Sequence, residues 1–386
     1  MIRYRELKRR YDLDGAAKTT EHLSEALRAK QLRAEDFSLR DLAESLVPDG
    51  QEWVRLLDPR SAGGVNLLEA GDGVDTTAFL NIAGQVIYSK IMEAYAQEAF
   101  VVSKLVDTIP TRLDGEKIPG VTPLADGATD IRPGMPYPHV GFGEDYIETP
   151  STVKHGLIVP VTREAIFFDR TNLVLSRAAE VGEILGLNKE KRLIDVVVGV
   201  KNPYKWRGAS YDTYQEAGEH WTNVKPGNEL VDWTSVDAAE QLFADMLDPH
   251  TGEPVLISAR TALVMPAYRL AAQRTFHAAE IEHTTGDATT TRVANPLGGY
   301  QAYESRLAYR RITAAGTAEA DAKKWWFLGD FKKAFAYMEN WPITVTQSAP
   351  GSEAEFSNDV VVRFKASERG AAAVLNPRYV VKCYDE

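Results

Sequence analysis

The segment Val161–Gly199, VTREAIFFDRTNLVLSRAAEVGEILGLNKEKRLIDVVVG, decides the architecture. Val174, Ala178, Val181 and Leu185 recur at i, i+4, i+7 and i+11, which draws one apolar stripe along one face of a helix. Asp169 and Thr171 stand where N-caps belong. The pattern predicts a helix of roughly 25 residues, about 37 Å at 1.5 Å per residue. Gly182 and Gly186 weaken its propensity, yet their missing side chains let a second backbone approach closely.

The stretch before it is of a different kind. Pro110 to Pro160 holds eight prolines and seven glycines, in runs such as IPGVTP, RPGMPYP and VGFGEDY. Proline fixes φ and removes an N–H donor, so this stretch is expected to stay out of packed sheets and helices. A connection of that length marks a functional excursion. It reads as an extended two-stranded arm that leaves the body and returns through the alternating residues Leu157, Val159 and Val161.

Nearer the N-terminus, Thr76 to Thr108 is helical in pattern, with Ile82, Val86, Ile87, Ile91 and Tyr95 on neighbouring faces. Ser61 to Asp75, SAGGVNLLEAGDGVD, is a glycine-rich acidic joint. Residues 1–60 read as two charged amphipathic helices. The second opens with Ser38 as N-cap, Asp41 three residues on and Phe37 placed to staple onto Leu42. Pro48, Asp49 and Gly50 are its stop signal.

On the C-terminal side, Trp206, Trp221, Trp233 and several tyrosines sit amid turn residues and predict a surface elaboration with an aromatic patch. Ser235 to Leu247 predicts a short helix, Pro254 to Ser258 a strand, and the region around Ala262 to Arg274 another helix. Ala278 to Tyr300, rich in Thr and Gly, reads as an exposed loop. Trp341, Ile343 and Val345 alternate with polar residues or proline, and Phe356, Val360, Val362 and Phe364 share a parity broken only by Asn358. Period two predicts strands, joined into a hairpin by the turn SAPGSEAE, with Tyr379 to Tyr384 as a further strand. The class is α+β.

Composition narrows the function. The 55 acidic residues against 44 basic ones give a net charge of -11, which repels phosphate and disfavours a dedicated nucleic-acid binder. Residues 1–60 balance twelve against twelve, so the excess lies beyond them. Cys383 is the sole cysteine, which leaves no intrachain disulfide and no Cys-based zinc site and fits a reducing cytoplasm. Met1 to Arg10 is basic without an apolar segment after it, and no run of about 18 apolar residues occurs, so neither an export signal nor a membrane span is expected.

The chemistry-bearing candidates are weak. A nucleophile elbow, a phosphate-binding P-loop and an H-E-x-x-H helix are absent. Gly71-Asp72-Gly73 starts like a dinucleotide fingerprint but lacks the third glycine. His277, Glu280 and His283 would not share one helical face and read as a solvated polar surface. Lys332 and Lys333 among Phe331, Phe335 and Tyr337 could stack single-stranded bases, though core aromatics account for them equally. Cys383 reads as a small buried hydrophobe. His139 and His155 flank the arm without an identifiable Ser or Asp partner. No catalytic, cofactor or metal site is expected.

Val161–Gly199 resembles the end of the extended loop and the long spine helix of Hong Kong 97-type major capsid proteins. WWFLGDFKKAFAYMENWPITVTQ, at residues 325–347, and FSNDVVVRFKASERGAAAVLNPRYVVKC, at 356–383, resemble that family's closing segments. PVLISARTALVMPAY, at 254–268, is similar to its axial segment, so the resemblance spans residues 76–386. It implies an α+β Hong Kong 97-type capsid fold with an N-terminal arm, an extended E-loop hairpin, a P domain carrying the long spine helix, and an A domain. The implied organisation is a helical extension at 1–60, N-arm and linker at 61–110, E-loop at 111–160 and P domain with its aromatic elaboration at 161–232. The A domain follows at 233–330, the P-domain hairpin at 331–370 and a closing A-domain strand at 371–386.

By the same resemblance the chain is a major capsid (head) protein. Such subunits self-assemble into pentamers and hexamers of an icosahedral phage shell around double-stranded DNA, held by containment and without a membrane. Assembly would occur in the bacterial host cytoplasm, with portal, prohead protease or scaffold as partners and the virion capsid as destination. Assembly contacts are expected from Pro119, Gly120, Pro133, Tyr137, Phe142 and Tyr146 in the E-loop and from Phe356, Arg363 and Arg369 in the P domain. Some members form a Lys–Asn crosslink; here Glu355 precedes Phe356 and Asn358 is the nearest amide, so a non-covalent shell is expected. Residues 1–60 would correspond to the extension that family proteases remove, though they are short for it. The competing readings are an encapsulin-like compartment and a hydrolase using an unrecognised acidic pair.

Overall fold

A computed structural model describes residues 4–47, 49–56, 73–119, 146–248, 252, 254–284, 290–348 and 359–385. In chain order the first elements are α1 (Tyr4–Arg28), α2 (Leu39–Leu46), α3 (Gly50–Leu56), α4 (Gly73–Tyr95), α5 (Val102–Leu105), β1 (Asp107–Pro110), β2 (Lys117–Pro119), β3 (Tyr146–Glu148) and β4 (Val153–Thr162). There follow α6 (Arg163–Phe167), α7 (Thr171–Val197), β5 (Lys205–Trp206), β6 (Ala209–Ser210), β7 (Val224–Pro226), α8 (Trp233–Ala244), β8 (Thr261–Val264), α9 (Arg269–His277), β9 (Glu280–Thr284) and β10 (Thr290–Ala294). The chain ends with β11 (Gln301–Glu304), α10 (Arg306–Ala314), α11 (Glu319–Ala322), β12 (Trp326–Gly329), α12 (Phe331–Ala334), β13 (Phe335–Gln347), β14 (Val360–Val374) and β15 (Val380–Tyr384). The chain forms two compact units, one from residues 1–99, 154–188 and 341–369, the other from 100–153, 189–340 and 370–386. Each is discontinuous, and α7, β13 and β14 contribute residues to both.

The first unit is built on the predicted stripe. Val174, Ala178, Val181 and Leu185 of α7 are all buried, in one cluster with Ile82, Ile87 and Ile91 of α4 and with Val159 and Val161 of β4. Gly182 is the point of closest approach: a Cβ there would lie 2.2 Å from the Ile91 carbonyl oxygen and 3.0 Å from the Ala94 Cβ. The helix runs 27 residues, starting at Thr171. Asp169, at φ 49, turns the chain into it, and its carboxylate accepts from the Thr171 hydroxyl at 2.9 Å and the Ser38 hydroxyl at 2.8 Å. The Leu39 amide donates to Thr171 Oγ1 at 2.8 Å, so the starts of α2 and α7 are tied by one small network.

The N-terminal helices belong to the same core. Ser38 Oγ accepts from the Asp41 amide at 3.1 Å, as its cap position predicts, and Phe37 and Leu42 are buried together. Leu7, Leu23, Leu46, Trp53 and Val54 join that cluster. Each such side chain contributes about 1.5–3 kcal/mol by leaving water. Two helices were expected here and the structure has more. α1 breaks at Gly15, whose φ 78 and ψ 167 suit glycine alone; α2 ends at Leu46, just before the stop read at Pro48, Asp49 and Gly50, and Gly50 then opens the additional helix α3.

The second unit centres on a mixed sheet ordered β11-β8-β12-β15-β7. β12 runs antiparallel to both β8 and β15, in registers such as Trp326↔Val264 and Trp326↔Cys383. Its side chains alternate between two cores, as a fully buried strand must. Phe327 joins Leu193, Ile194 and Val197 of α7, whereas Trp326 and Leu328 join Val236, Ala239 and Phe243 of α8 and Ala272 and Phe276 of α9. A smaller sheet is ordered β2-β3-β5-β6.

Several expectations are corrected. Trp206 and Trp221 are buried with Tyr204 in the core beside α7, not displayed on the surface, because their rings pack edge-on at 5.6 Å (Tyr204–Trp221) and beneath the Arg378 guanidinium. The strand expected at Pro254–Ser258 is β8, Thr261–Val264, and the following helix starts at Arg269, after Pro266 has interrupted the chain. The loop expected over Ala278–Tyr300 contains the antiparallel ladder β9–β10, with β10 exposed throughout. The proline-rich stretch does enter sheets: β3 is an inner strand between β2 and β5, but the prolines themselves keep to the edges, with Pro110 in β1, Pro119 in β2 and Pro160 in β4 all on outermost strands, where a missing N–H leaves no gap in a ladder.

Candidate assembly site

The two ends of the expected arm are held together. β2 and β3 pair antiparallel as Lys117↔Glu148, Ile118↔Ile147 and Pro119↔Tyr146. Lys117 Nζ lies 3.5 Å from Glu148 Oε1 and 4.3 Å from the centre of the Tyr146 ring. The Thr149 amide donates to the Glu116 carbonyl at 2.9 Å, and the Thr152 amide and hydroxyl donate to Asp114 Oδ1 at 2.7 and 2.9 Å. Inward, Ile147 is buried against Trp206, its register partner in β5. These pairings, anchored on both strands and in the core, hold Pro119 beside Tyr146.

Of the residues expected to make assembly contacts, Pro119 and Tyr146 form the last pair of this base. Gly120, Pro133, Tyr137 and Phe142 lie outside the described residues, as does His139. In the first unit, Arg369 stacks its guanidinium 5.6 Å from the centre of the Trp341 ring, and Lys154 places its ammonium 5.6 Å from the same ring. Arg363 holds the end of β13 through its backbone: its amide donates to Ser348 Oγ at 3.0 Å and its carbonyl accepts from the Ser348 amide at 2.9 Å. Phe356, with Glu355 and Asn358 of the crosslink argument, falls outside the described residues.

Some positioning residues carried no signal in the expectations above. Glu190 of α7, almost wholly buried, accepts from the amides of Val102 at 2.7 Å and Ser103 at 2.8 Å, satisfying the free donors that open α5. Asp195, also buried, takes a bidentate pair of 2.6 Å bonds from Arg311. A carboxylate within the apolar run RLIDVVVG is the one clue the sequence offered. Lys382 lies 3.2 Å from the Trp325 ring centre, and burial lowers its ammonium to about 8.

The remaining chemical candidates resolve into structure. His277 ends α9 and Glu280 and His283 belong to β9, so the three are not on one helix. Among the described residues no group of three or more His, Cys, Asp or Glu is arranged to hold a metal ion. Phe331, Phe335 and Tyr337 are core residues. Cys383 is fully buried, with Asn228 Nδ2 donating to its sulfur at 3.5 Å and burial pushing the thiol up to about 12. Among the described residues no helix is long and apolar enough to cross a membrane.

Comparison with curated proteins found no match. Among solved structures, the chain is similar to the capsid of a native GTA particle at 11% identity, covering 75% of this chain and 91% of that one with a TM-score of 0.43. It is similar to the cyanophage Pam1 capsid at 10% identity, covering 76% and 93% with a TM-score of 0.45. A chain of Mycobacterium phage Ogopogo aligns at 14% identity over 74% and 92%, TM-score 0.42. The model of the phage capsid protein family matches residues 146–383, more than half of the chain, from β3 to β15. With its closing strands, its long helix and the strands β3 and β4 all inside that match, the chain belongs to the phage capsid protein family and is a structural protein of the capsid.

Proposed function

We propose that the chain is the major capsid subunit, assembling into pentamers and hexamers of an icosahedral shell, with the segment between Pro119 and Tyr146 reaching onto a neighbouring copy. The observation that carries this is the family match together with the anchored base at β2 and β3. An extended segment laid across a sister molecule adds buried area that its own body does not offer. Residues near Trp341, Lys154 and Arg369 supply a second, cationic and aromatic contact. Double-stranded DNA is held by containment, consistent with the net charge of -11. Portal, prohead protease or scaffold act during assembly in the host cytoplasm. The encapsulin-like and hydrolase readings gain no support from the family match.

Deleting residues 120–143 tests the role of the arm. The shortened chain is expected to stay folded and soluble but to form no particles. Closed particles from that variant would remove the arm from the assembly mechanism.

A further inference from the structure

The charges of the second unit are sorted along the chain. Residues 226–259 hold seven Asp or Glu and no Lys or Arg, whereas residues 260–279 hold three Arg and no Asp or Glu. The fold puts these blocks on two helices packed into one core: α8 through Val236, Ala239 and Phe243, and α9 through Ala272 and Phe276. Tyr300 links them, donating its hydroxyl to Glu240 of α8 and stacking on Phe276 of α9 at 5.7 Å between ring centres.

The opposite sides of both helices are exposed and differ in sign. α8 presents Asp237, with Asp232 at its N-cap and Asp245 at its C-cap. α9 presents Leu270, Gln273, Arg274 and His277, a single face by their spacing. Among the described residues Asp237, Asp245 and Arg274 enter no ion pair. Each side also leaves apolar surface in water: Leu270 is 67% exposed, and Val231 and Leu247, flanking α8, are 63% and 51% exposed.

The carboxylates gathered on the exposed side of α8 repel an identical side and attract a cation that enters no ion pair among the described residues, such as Arg274 on α9. A second copy of this chain supplies that cation. A contact between two different patches of the same molecule is heterologous, so it repeats head to tail and can close into a ring. We propose that the acidic side of α8 in one copy docks on the basic and apolar side of α9 in the next, forming the lateral contact of a capsomer. This rests on the reading of the chain as a shell subunit.

The test is a charge swap in the full chain. One variant carries Asp237→Arg and Asp245→Arg, a second Arg274→Glu and His277→Glu, and a third all four. Assembly is followed by sedimentation and electron microscopy beside the wild type, and folding by the unfolding midpoint. Each two-site variant is expected to raise the concentration needed for assembly roughly tenfold, equivalent to about 1.4 kcal/mol. The four-site variant is expected to return to within roughly threefold of the wild type, because the attraction is restored with its sign reversed. Where a reversal lowers the unfolding midpoint, Asp237→Asn and Arg274→Gln replace it, with the same direction expected. Two-site variants that assemble like the wild type, or a four-site variant no better than they are, overturn the proposal. A wild-type chain that forms no particles overturns the shell reading itself, and the contact with it.

Discussion

Gly182→Ala puts the packing of α7 on α4 to a test of sign. In an exposed helix, replacing glycine with alanine stabilises by about 0.8–1 kcal/mol through propensity alone. Here the new Cβ would stand 2.2 Å from the Ile91 carbonyl oxygen, a backbone atom that cannot rotate away. The helices must separate by about 1 Å to restore ordinary contact, across a core packed at crystal-like density. Overpacking of this kind costs about 1–3 kcal/mol, and a backbone contact argues for the upper end. With the propensity gain set against it, the net loss is about 2 kcal/mol. Denaturant unfolding of the unassembled subunit, followed by circular dichroism, reads this directly. In a thermal scan it corresponds to a fall of about 4–8 °C for a unit of this size. A variant as stable as the wild type, or more stable, would refute the close approach.

Other perturbations follow from the same geometry. Leu42→Ala empties a fully buried site beneath the N-terminal helices and is expected to cost about 2–5 kcal/mol in the same assay. A loss near zero would show that residues 39–56 are not part of the core. Glu190→Ala orphans the buried Val102 amide, at about 1–3 kcal/mol, and frees the half-buried Ser103 amide to water at a smaller cost, and should speed amide hydrogen exchange at those two positions before any others. Unchanged exchange there would contradict the cap. Lys382 titrates near 8 when folded and at 10.5 when unfolded, so between these values the unfolded chain binds the extra proton and stability rises with pH. Relative to Lys382→Met, the wild type should therefore gain up to about 3 kcal/mol between pH 8 and 10.5. A flat difference across that window would mean that the Trp325 ring already compensates for burial of the charge.

What could be read from the residues was what repeats locally. The stripe Val174, Ala178, Val181 and Leu185, the Ser38 cap and the alternation of Val360, Val362 and Phe364 each follow from a short-range period, and all three hold. Gly182 was legible because a glycine inside a long helix needs a packing reason. Features set by distant partners were not. Trp206 and Trp221 sit among turn residues that look solvated, and only the closure of β5 against α7 and Arg378 buries them. β8 is buried between β11 and β12, and a strand covered on both faces shows no alternation to find. The acidic and basic helices α8 and α9 are plain in the sequence as charge blocks, but which of their sides face outward needed the core they share.

Electron microscopy of the purified full chain tests the central claim most directly. Closed icosahedral particles, built from five- and six-membered clusters of this one polypeptide, are the predicted result. A population that stays monomeric under every assembly condition in which the fold is intact would contradict the account.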